Sequence, residues 1–221
     1  MALTGDEVNT ILVALERTAI AAVVAIALAI PIGIACGMAR ISQFWIVRFL
    51  VGLYIEVFRG TSALVQLFFA VFVLPELGVR LDPLMAGVGT LALNAAAFVA
   101  EIARGAFFAV PAGQTEAAAA LNLGWWTRRL TIVLPQAWRT MLPPLGSIAI
   151  DVLKGTSLLS IVAVRELTKT VTTVSQIGAL TPEEAFLGLF AVYLVLSGPI
   201  AFVFAGLEKI ANRSFGRGAT R

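Results

Sequence analysis

The sequence predicts an all-α integral membrane protein with about five transmembrane helices. Of its 221 residues, 59% are hydrophobic and only 13% are charged, whereas soluble domains usually carry about 25% charged residues. The mean hydropathy of +0.94 indicates that lipid surrounds much of the chain. Five apolar segments are long enough to cross a bilayer, which takes about 20 residues of helix. We expect residues 1–221 to form one transmembrane domain.

The five apolar segments are the predicted spans, at residues 11–39, 45–74, 84–108, 130–153 and 185–210. The first is too long for the apolar part of a signal peptide and is preceded by acidic residues, so we expect it to be retained. Gly60 and Thr61 could break the second span. Because proline removes a helical hydrogen bond, Pro135, Pro143 and Pro144 should kink or interrupt the fourth.

The distribution of lysine and arginine predicts the orientation. Basic residues cluster after span one, after span three and in the C-terminal tail: Arg40, Arg48, Arg104, Arg128, Arg129, Lys209, Arg213, Arg217 and Arg221. The connections after spans two and four carry fewer basic residues, and acidic residues offset part of their positive charge. The positive-inside rule then places the N-terminus outside, and the C-terminus and residues 111–129 in the cytoplasm. Residues 154–184, outside, could be a short helix with a gating loop or an ordinary connection.

Several function classes are excluded by what the sequence lacks. There is no histidine, the commonest general base and metal ligand, and Cys36 is the single cysteine, so no intramolecular disulfide can form. No G-x-x-x-x-G-K-[ST] loop is present, so the chain has no ATPase site of its own. The net charge of +3 is too small to indicate nucleic acid. We therefore predict no catalytic residue, no metal site and no cofactor in this chain.

The connection after span three, EAAAALNLGWWTRRLTIVLP, predicts a helix, a sharp turn and a second helix. We expect Glu116 in or near the first helical turn, where an acid complements the helix dipole, and four alanines continue the helix. Asn122 and Gly124 can enter the left-handed region cheaply, so the first helix should stop at Asn122. A shallow alanine face favours docking against protein over the alternative, an interfacial helix without a partner.

This connection resembles the EAA loop of ABC-importer permeases, in which Glu-Ala-Ala is followed by three residues, Gly, nine residues and Ile-x-Leu-Pro. Six residues fall on the pattern: Glu116, Ala117, Ala118, Ile132, Leu134 and Pro135. Asn122 replaces the glycine, and asparagine is the non-glycine residue that best tolerates positive φ. The resemblance assigns coupling to the ATPase to Glu116, Ala117, Ala118, Asn122 and Gly124.

Four further segments resemble the polar amino acid branch of these permeases, the His/Gln/Glu/Arg/opine type. They are residues 56–69, 91–114, 134–145 and 153–167. Ser62 stands where the family usually has proline, and Gly155 where it usually has an acidic or amide residue. The resemblance extends over about residues 11–210.

The resemblance implies a type I ABC importer permease in the bacterial cytoplasmic (inner) membrane. Two permease subunits, identical or paralogous, would pair with two cytoplasmic ATPase subunits, which bind the ATP and Mg. A solute-binding protein outside would deliver a polar amino acid or related zwitterion, and alternating access would carry it across. A hard turn joining a docked helix to a span would transmit motion as a lever.

Polar residues inside the predicted spans are candidates for the solute path: Glu56, Arg59, Gln66, Asn94, Glu101 and Asp151. Such residues usually face a bundle interior or a cavity, because charge is costly in lipid. Arg59 or the N-terminus of a broken helix could bind a carboxylate. Glu101, Asn94 or Asp151 could accept from an ammonium group.

Each path candidate also has a structural interpretation. Glu56 with Arg59, Glu101 with Arg104, and Asp151 with Lys154 are three apart and could be ion pairs. Asn94 could hydrogen-bond between helices. Two other functions stay open: a nucleotide-independent secondary transporter or channel, and a membrane scaffold. The absence of an internal repeat disfavours the transporter, and the charges inside the spans disfavour the scaffold.

Overall fold

The structure, a computed structural model, describes residues 4–216, and all regular elements in this range are helical. The helices are α1 Gly5–Arg40, α2 Trp45–Gly60, α3 Ala63–Phe68, α4 Pro83–Phe108, α5 Ala112–Ala120, α6 Trp125–Arg128, α7 Leu134–Gly155, α8 Leu167–Gln176 and α9 Pro182–Gly216. Arg217 and Arg221 of the predicted basic tail lie outside the described residues.

Within residues 4–216, four helical stretches are long and apolar enough to cross a membrane: α1, α4, α9 and Trp125–Val162, which contains α6 and α7. A fifth crossing requires α2 and the stretch Ala63–Val73 together, and these two are bent by 107°. The second predicted span is therefore not one straight helix. It breaks where Gly60 and Thr61 indicated, because the backbone is extended at Thr61 and Ser62.

The fourth predicted span starts earlier than expected and is not interrupted at its prolines. Helix begins at Trp125 and continues through Pro143 and Pro144. A π-helical turn over Arg129–Val133 lets the Leu134 N–H donate to the Arg129 carbonyl. Pro135, which has no N–H to donate, directly follows this π-helical turn as the second residue of α7.

The core of the bundle is the close contact between α1 and α4. Small residues four apart on α1 are buried against α4: Ala25, Ala29, Gly33 and Gly37. A Cβ atom at Gly37 would lie 2.7 Å from the Ala100 carbonyl oxygen and 2.7 Å from Ala103 Cβ. Membrane helices associate through this kind of close packing between small residues, so the spacing of four on α1 determines which helix it contacts.

We expect Gly37→Ala to destabilise the protein by about 1–3 kcal/mol, because an added methyl group forces α1 away from α4. A lower Tm in detergent checks this. The matched control is Gly105→Ala on α4, where an added Cβ meets nothing within 4 Å. Equal Tm values for the two variants would contradict the packing.

Helices α1, α4 and α9 run in the same direction and α7 runs in the opposite one, so the bundle has two ends. The α5 end carries α5, α6 and the last turns of α1, α4 and α9, where Arg139 of α7 donates to Asn212 of α9. The α8 end carries α8 and the starts of α4 and α9, where Asp82 and Glu166 line one cavity. The predicted coupling loop and α8 thus lie at opposite ends of the bundle.

Candidate coupling loop and solute path

Helix α5 begins at Ala112, directly after Pro111, whose φ of −55° suits a helix start. The Gln114 N–H donates to the Pro111 carbonyl at 3.0 Å. Glu116 is near the first turn, as predicted, but it lies just past that turn rather than within it. It is therefore beyond the position where an acid complements the helix dipole most strongly.

Helix α5 ends in the turn that Asn122 predicted. Asn122 has a φ of 61°, which is the left-handed region. Its N–H donates to the Ala119 carbonyl at 2.9 Å, and the Leu123 N–H donates to the Ala118 carbonyl at 3.1 Å. These two bonds form a Schellman motif, which closes a helix C-terminus around one left-handed residue. Gly124 is extended, at φ −62° and ψ 159°, so Asn122 alone makes the left-handed turn.

Not all of the predicted coupling residues on α5 are exposed. Gly113, Glu116, Ala117 and Ala120 are all exposed and follow the spacing of one helical face; we call them the alanine face. Ala118 is only 2% exposed and packs within the chain. The structure thus separates the predicted coupling residues: Glu116 and Ala117 face outward, whereas Ala118 attaches α5 to its own subunit.

Side-chain contacts join α5 and α6 to the α7 helix. The Gln136 side-chain amide of α7 donates to the Gln114 side chain at 3.3 Å and to the Ile132 carbonyl at 3.1 Å. Trp125 and Trp126 pack edge to face with ring centroids 4.6 Å apart, and the Arg129 guanidinium lies 5.5 Å from the Trp125 ring. The alanine face is therefore linked to α7 by the Gln114–Gln136 hydrogen bond and by the continuous helix from α6 into α7.

The break between α2 and α3 is held by two amide side chains. Gln66 Nε2 donates to the Phe58 carbonyl at 2.8 Å and to Thr61 Oγ1 at 2.7 Å. Asn94 Nδ2 of α4 donates to the same Phe58 carbonyl and to Gln66 Oε1, both at 3.1 Å. The last carbonyls of a helix have no N–H donor within the helix. At the end of α2 the two side-chain amides supply donors instead. Asn94 thus bonds between helices, as its structural interpretation predicted.

Gln66, predicted within one span together with Glu56 and Arg59, lies on a separate helix, α3, beyond the break. Its amide instead turns back to the end of α2, at the Phe58 carbonyl. The break therefore brings Gln66 to Asn94, a contact that counting along a straight helix does not give.

Two path candidates, Asn94 and Asp151, line one cavity of 180 Å³ between α3, α4 and α7. Its other walls include Phe98, Gly155 and Leu158. Gly155, where the family usually has a polar side chain, therefore lies on this cavity. A Cβ added at Gly155 would lie 3.1 Å from Leu91 Cδ2, so glycine widens this part of the wall.

The other charged candidates lie outside this cavity. Glu101 and Arg104 form an ion pair at 2.9 Å, which bears out their structural interpretation. The Arg59 guanidinium lies 5.5 Å from the centre of the Phe98 ring, whereas Glu56 is exposed. Among the described residues, neither Glu56 with Arg59 nor Asp151 with Lys154 forms an ion pair, so those two interpretations are wrong.

Sequence reasoning missed a buried polar cluster at the α8 end, formed by Thr18, Glu166 and Tyr193. Glu166 is 1% exposed and Thr18 is fully buried. The sequence offered two signals: Thr18 is a threonine in an apolar helix, and Glu166 is an acid before a Thr-rich segment. They are 148 positions apart, so nothing local indicated that they meet.

Comparison with known proteins agrees with this architecture. Residues 29–217 match the family described as binding-protein-dependent transport system inner membrane component. The chain is 37% identical over 180 residues to the glutamine transport system permease protein GlnP of Escherichia coli, covering 80% of this chain and 82% of GlnP. It is 33% identical to the probable glutamine ABC transporter permease protein GlnM of Bacillus subtilis, covering 90% and 92%.

Solved structures give the same result. A chain from the crystal structure of an amino acid ABC transporter with histidines superposes with a TM-score of 0.83 at 27% identity, covering 95% of this chain and 99% of that one. A chain of the methionine ABC transporter MetNI has the same fold, with a TM-score of 0.74 at 17% identity. The protein therefore belongs to the inner membrane components of binding-protein-dependent transport systems, the permease subunits of ABC importers.

Proposed function

We propose that this permease subunit imports a polar amino acid or related zwitterion, driven by ATP hydrolysis in partner subunits that dock on the alanine face. The observation that carries the proposal is the Schellman turn at Asn122. It ends α5 and turns the chain towards α6 and α7, α5 is bonded to α7 through Gln114 and Gln136, and α7 carries Asp151 of the cavity at its other end. One rigid element thus links the docking face to the solute path.

The proposed assembly contains two ATPase subunits, a second permease subunit, identical or paralogous, and an extracytoplasmic solute-binding protein. Since the sequence has no phosphate-binding loop, ATP and Mg are bound by the ATPase partners. A second permease supplies the opposite wall of the path, because this bundle alone is thin and most subunit pairs follow a two-fold axis.

The α5 end faces the cytoplasm in this proposal, and the α8 end faces outward. Basic residues at the α5 end support this orientation under the positive-inside rule: Arg40, Arg48, Arg104, Arg128, Arg129, Lys209 and Arg213. The exposed alanine face is then available to a cytoplasmic ATPase, and residues 154–184 are available to the binding protein.

The chemistry of the path suits a zwitterion. Asp151 and the Asn94 amide oxygen can accept from an ammonium group, and Arg59 provides a guanidinium for a carboxylate. The names of the relatives GlnP and GlnM, which are glutamine permeases, support an amino acid with a polar side chain. Glu56, Gln66 and Glu101 remain proposed path residues of secondary importance, because Gln66 holds the break and Glu101 is paired.

The test is to purify the chain with its co-expressed ATPase and binding protein and to screen polar amino acids for stimulation of ATP hydrolysis. We expect one or a few of them to raise the rate several-fold, and only when the binding protein is present. Stimulation by none of the amino acids, with stimulation by a sugar or an inorganic ion instead, would overturn the assigned solute class.

A further inference from the structure

A buried polar cluster joins α8 to α1 and α9. The carboxylate of Glu166 accepts the N–H groups of Thr168 at 2.8 Å and Lys169 at 2.7 Å, and the Tyr193 hydroxyl donates to it at 3.3 Å. The N–H of Leu167, the residue directly after Glu166, donates to Thr18 Oγ1 of α1 at 2.9 Å. Helices α8 and α9 and the distant α1 therefore meet at the first turn of α8.

The cluster is more than an ordinary helix cap, because Glu166 is 1% exposed. Burial raises the pKa of Glu166, and the hydrogen bonds from Thr168, Lys169 and Tyr193 oppose this. Burying a carboxylate is costly unless its oxygens are bonded, and a fully bonded network specifies one arrangement of the elements around it. The position of α8 is thus determined by specific bonds as well as by apolar packing.

The cluster is connected to the wall of the solute cavity by a short segment. A 3₁₀ helix, Thr156–Val162, follows α7, and Ala163 then turns the chain with a φ of 60°. Gly155 and Leu158 at the start of this segment line the cavity of Asn94 and Asp151.

Tyr193 lies between α8 and the start of this segment. Its hydroxyl lies 3.1 Å from Thr168 Oγ1 of α8, and Tyr193, Thr168 and Ser157 of the 3₁₀ helix line one cavity. A change in how Tyr193 and Glu166 are bonded therefore reaches the 3₁₀ helix whose first residues follow Gly155.

We propose that Glu166 is a positioning residue: with Thr18 and Tyr193 it holds the cavity wall at Gly155 and Leu158, and so sets the solute concentration that the transporter needs. Glu166 does not line that cavity, so it acts through the wall. This inference rests on the proposed function, because it presumes that the solute passes the cavity of Asn94 and Asp151.

The experiment uses the complete transporter, with ATPase and binding protein, in proteoliposomes. We expect Glu166→Ala to raise the amino acid concentration for half-maximal ATPase stimulation by on the order of tenfold, since it removes a buried charged acceptor. The maximal and basal rates should change less than about twofold. Glu166→Gln should recover part of the shift, because one oxygen still accepts an N–H.

Single-hydroxyl variants keep the test decisive if Glu166→Ala does not assemble. Tyr193→Phe and Thr18→Val each remove one bond of the cluster with little change in shape, and each should shift the half-maximal concentration in the same direction. Glu76→Gln, an exposed carboxylate outside residues 154–184, is the matched control and should shift nothing.

Two outcomes separate this inference from the proposed function. A wild-type transporter that responds to no amino acid refutes the proposed function. A wild-type transporter that responds, with half-maximal concentrations unchanged in Tyr193→Phe and Thr18→Val, overturns the positioning role alone. A fall in maximal rate at constant half-maximal concentration also overturns it.

Discussion

We expect Asn122→Pro to reduce solute-stimulated ATP hydrolysis to the basal rate, while the chain still inserts in the membrane. Proline holds φ near −65° and has no N–H, whereas Asn122 has a φ of 61° and donates its N–H to Ala119. Proline also favours an extended backbone at the residue before it, whereas Leu121 has a ψ of 11°. The turn that directs α5 onto α7 is therefore lost, and with it the rigid path from docking face to span.

Asn122→Gly is the matched control, because glycine adopts positive φ without strain and keeps the N–H. We expect it to retain stimulation close to that of the wild type. Membrane insertion of both variants is checked by the amount of protein that resists alkaline extraction. Full stimulation in Asn122→Pro would contradict the role of α5 as a lever.

We expect Glu116→Lys to remove most of the bound ATPase and to lower stimulated hydrolysis at least about tenfold. Glu116 is exposed at the middle of the alanine face, and its neighbours Gly113, Ala117 and Ala120 let a partner approach closely. A charge of the wrong sign at such an interface costs several kcal/mol. Co-purification of the ATPase with the permease, measured on the same sample as hydrolysis, checks this.

The control for the charge change is Glu76→Lys, an equally exposed carboxylate beyond α3 and away from α5. It changes the net charge by the same amount and should leave both measurements unchanged. Normal ATPase binding in Glu116→Lys would show that the partner does not dock on the alanine face.

The coupling loop was predictable from local sequence because its geometry depends on local backbone preferences. Asn122 between two helical patterns predicted a left-handed turn, which the structure has. Glu116 was expected in or near the first turn of α5, and it lies just past that turn because the helix begins directly after Pro111. Ala118 was grouped with the exposed residues because a motif written along the chain does not show which side of a helix packs inward.

The solute path was less predictable because it depends on contacts between distant residues. Gly60 and Thr61 indicated a break, but its 107° angle depends on the amides of Gln66 and Asn94, which are 28 positions apart. Arg59 was expected near Glu56, yet its guanidinium lies beside Phe98 of another helix. Spacing along one helix cannot show that a side chain contacts a residue of another helix instead.

Glu166 shows the same limit more strongly. In the sequence it is one of several acids that dilute the basic residues of a polar connection, which is typical of a solvated loop. In the structure it is buried: the Tyr193 hydroxyl of α9 donates to it, and Thr18 of α1 accepts the N–H of the next residue, Leu167. Its role depends on three elements that meet only in the fold.

Uptake of a radiolabelled, ATPase-stimulating amino acid into proteoliposomes tests the central claim most directly. The vesicles contain this chain and its ATPase, with ATP inside and the binding protein outside. The account predicts uptake that requires both ATP and the binding protein and that persists when ion gradients are collapsed. Uptake driven by an ion gradient in the absence of ATP would contradict it and would indicate a secondary transporter.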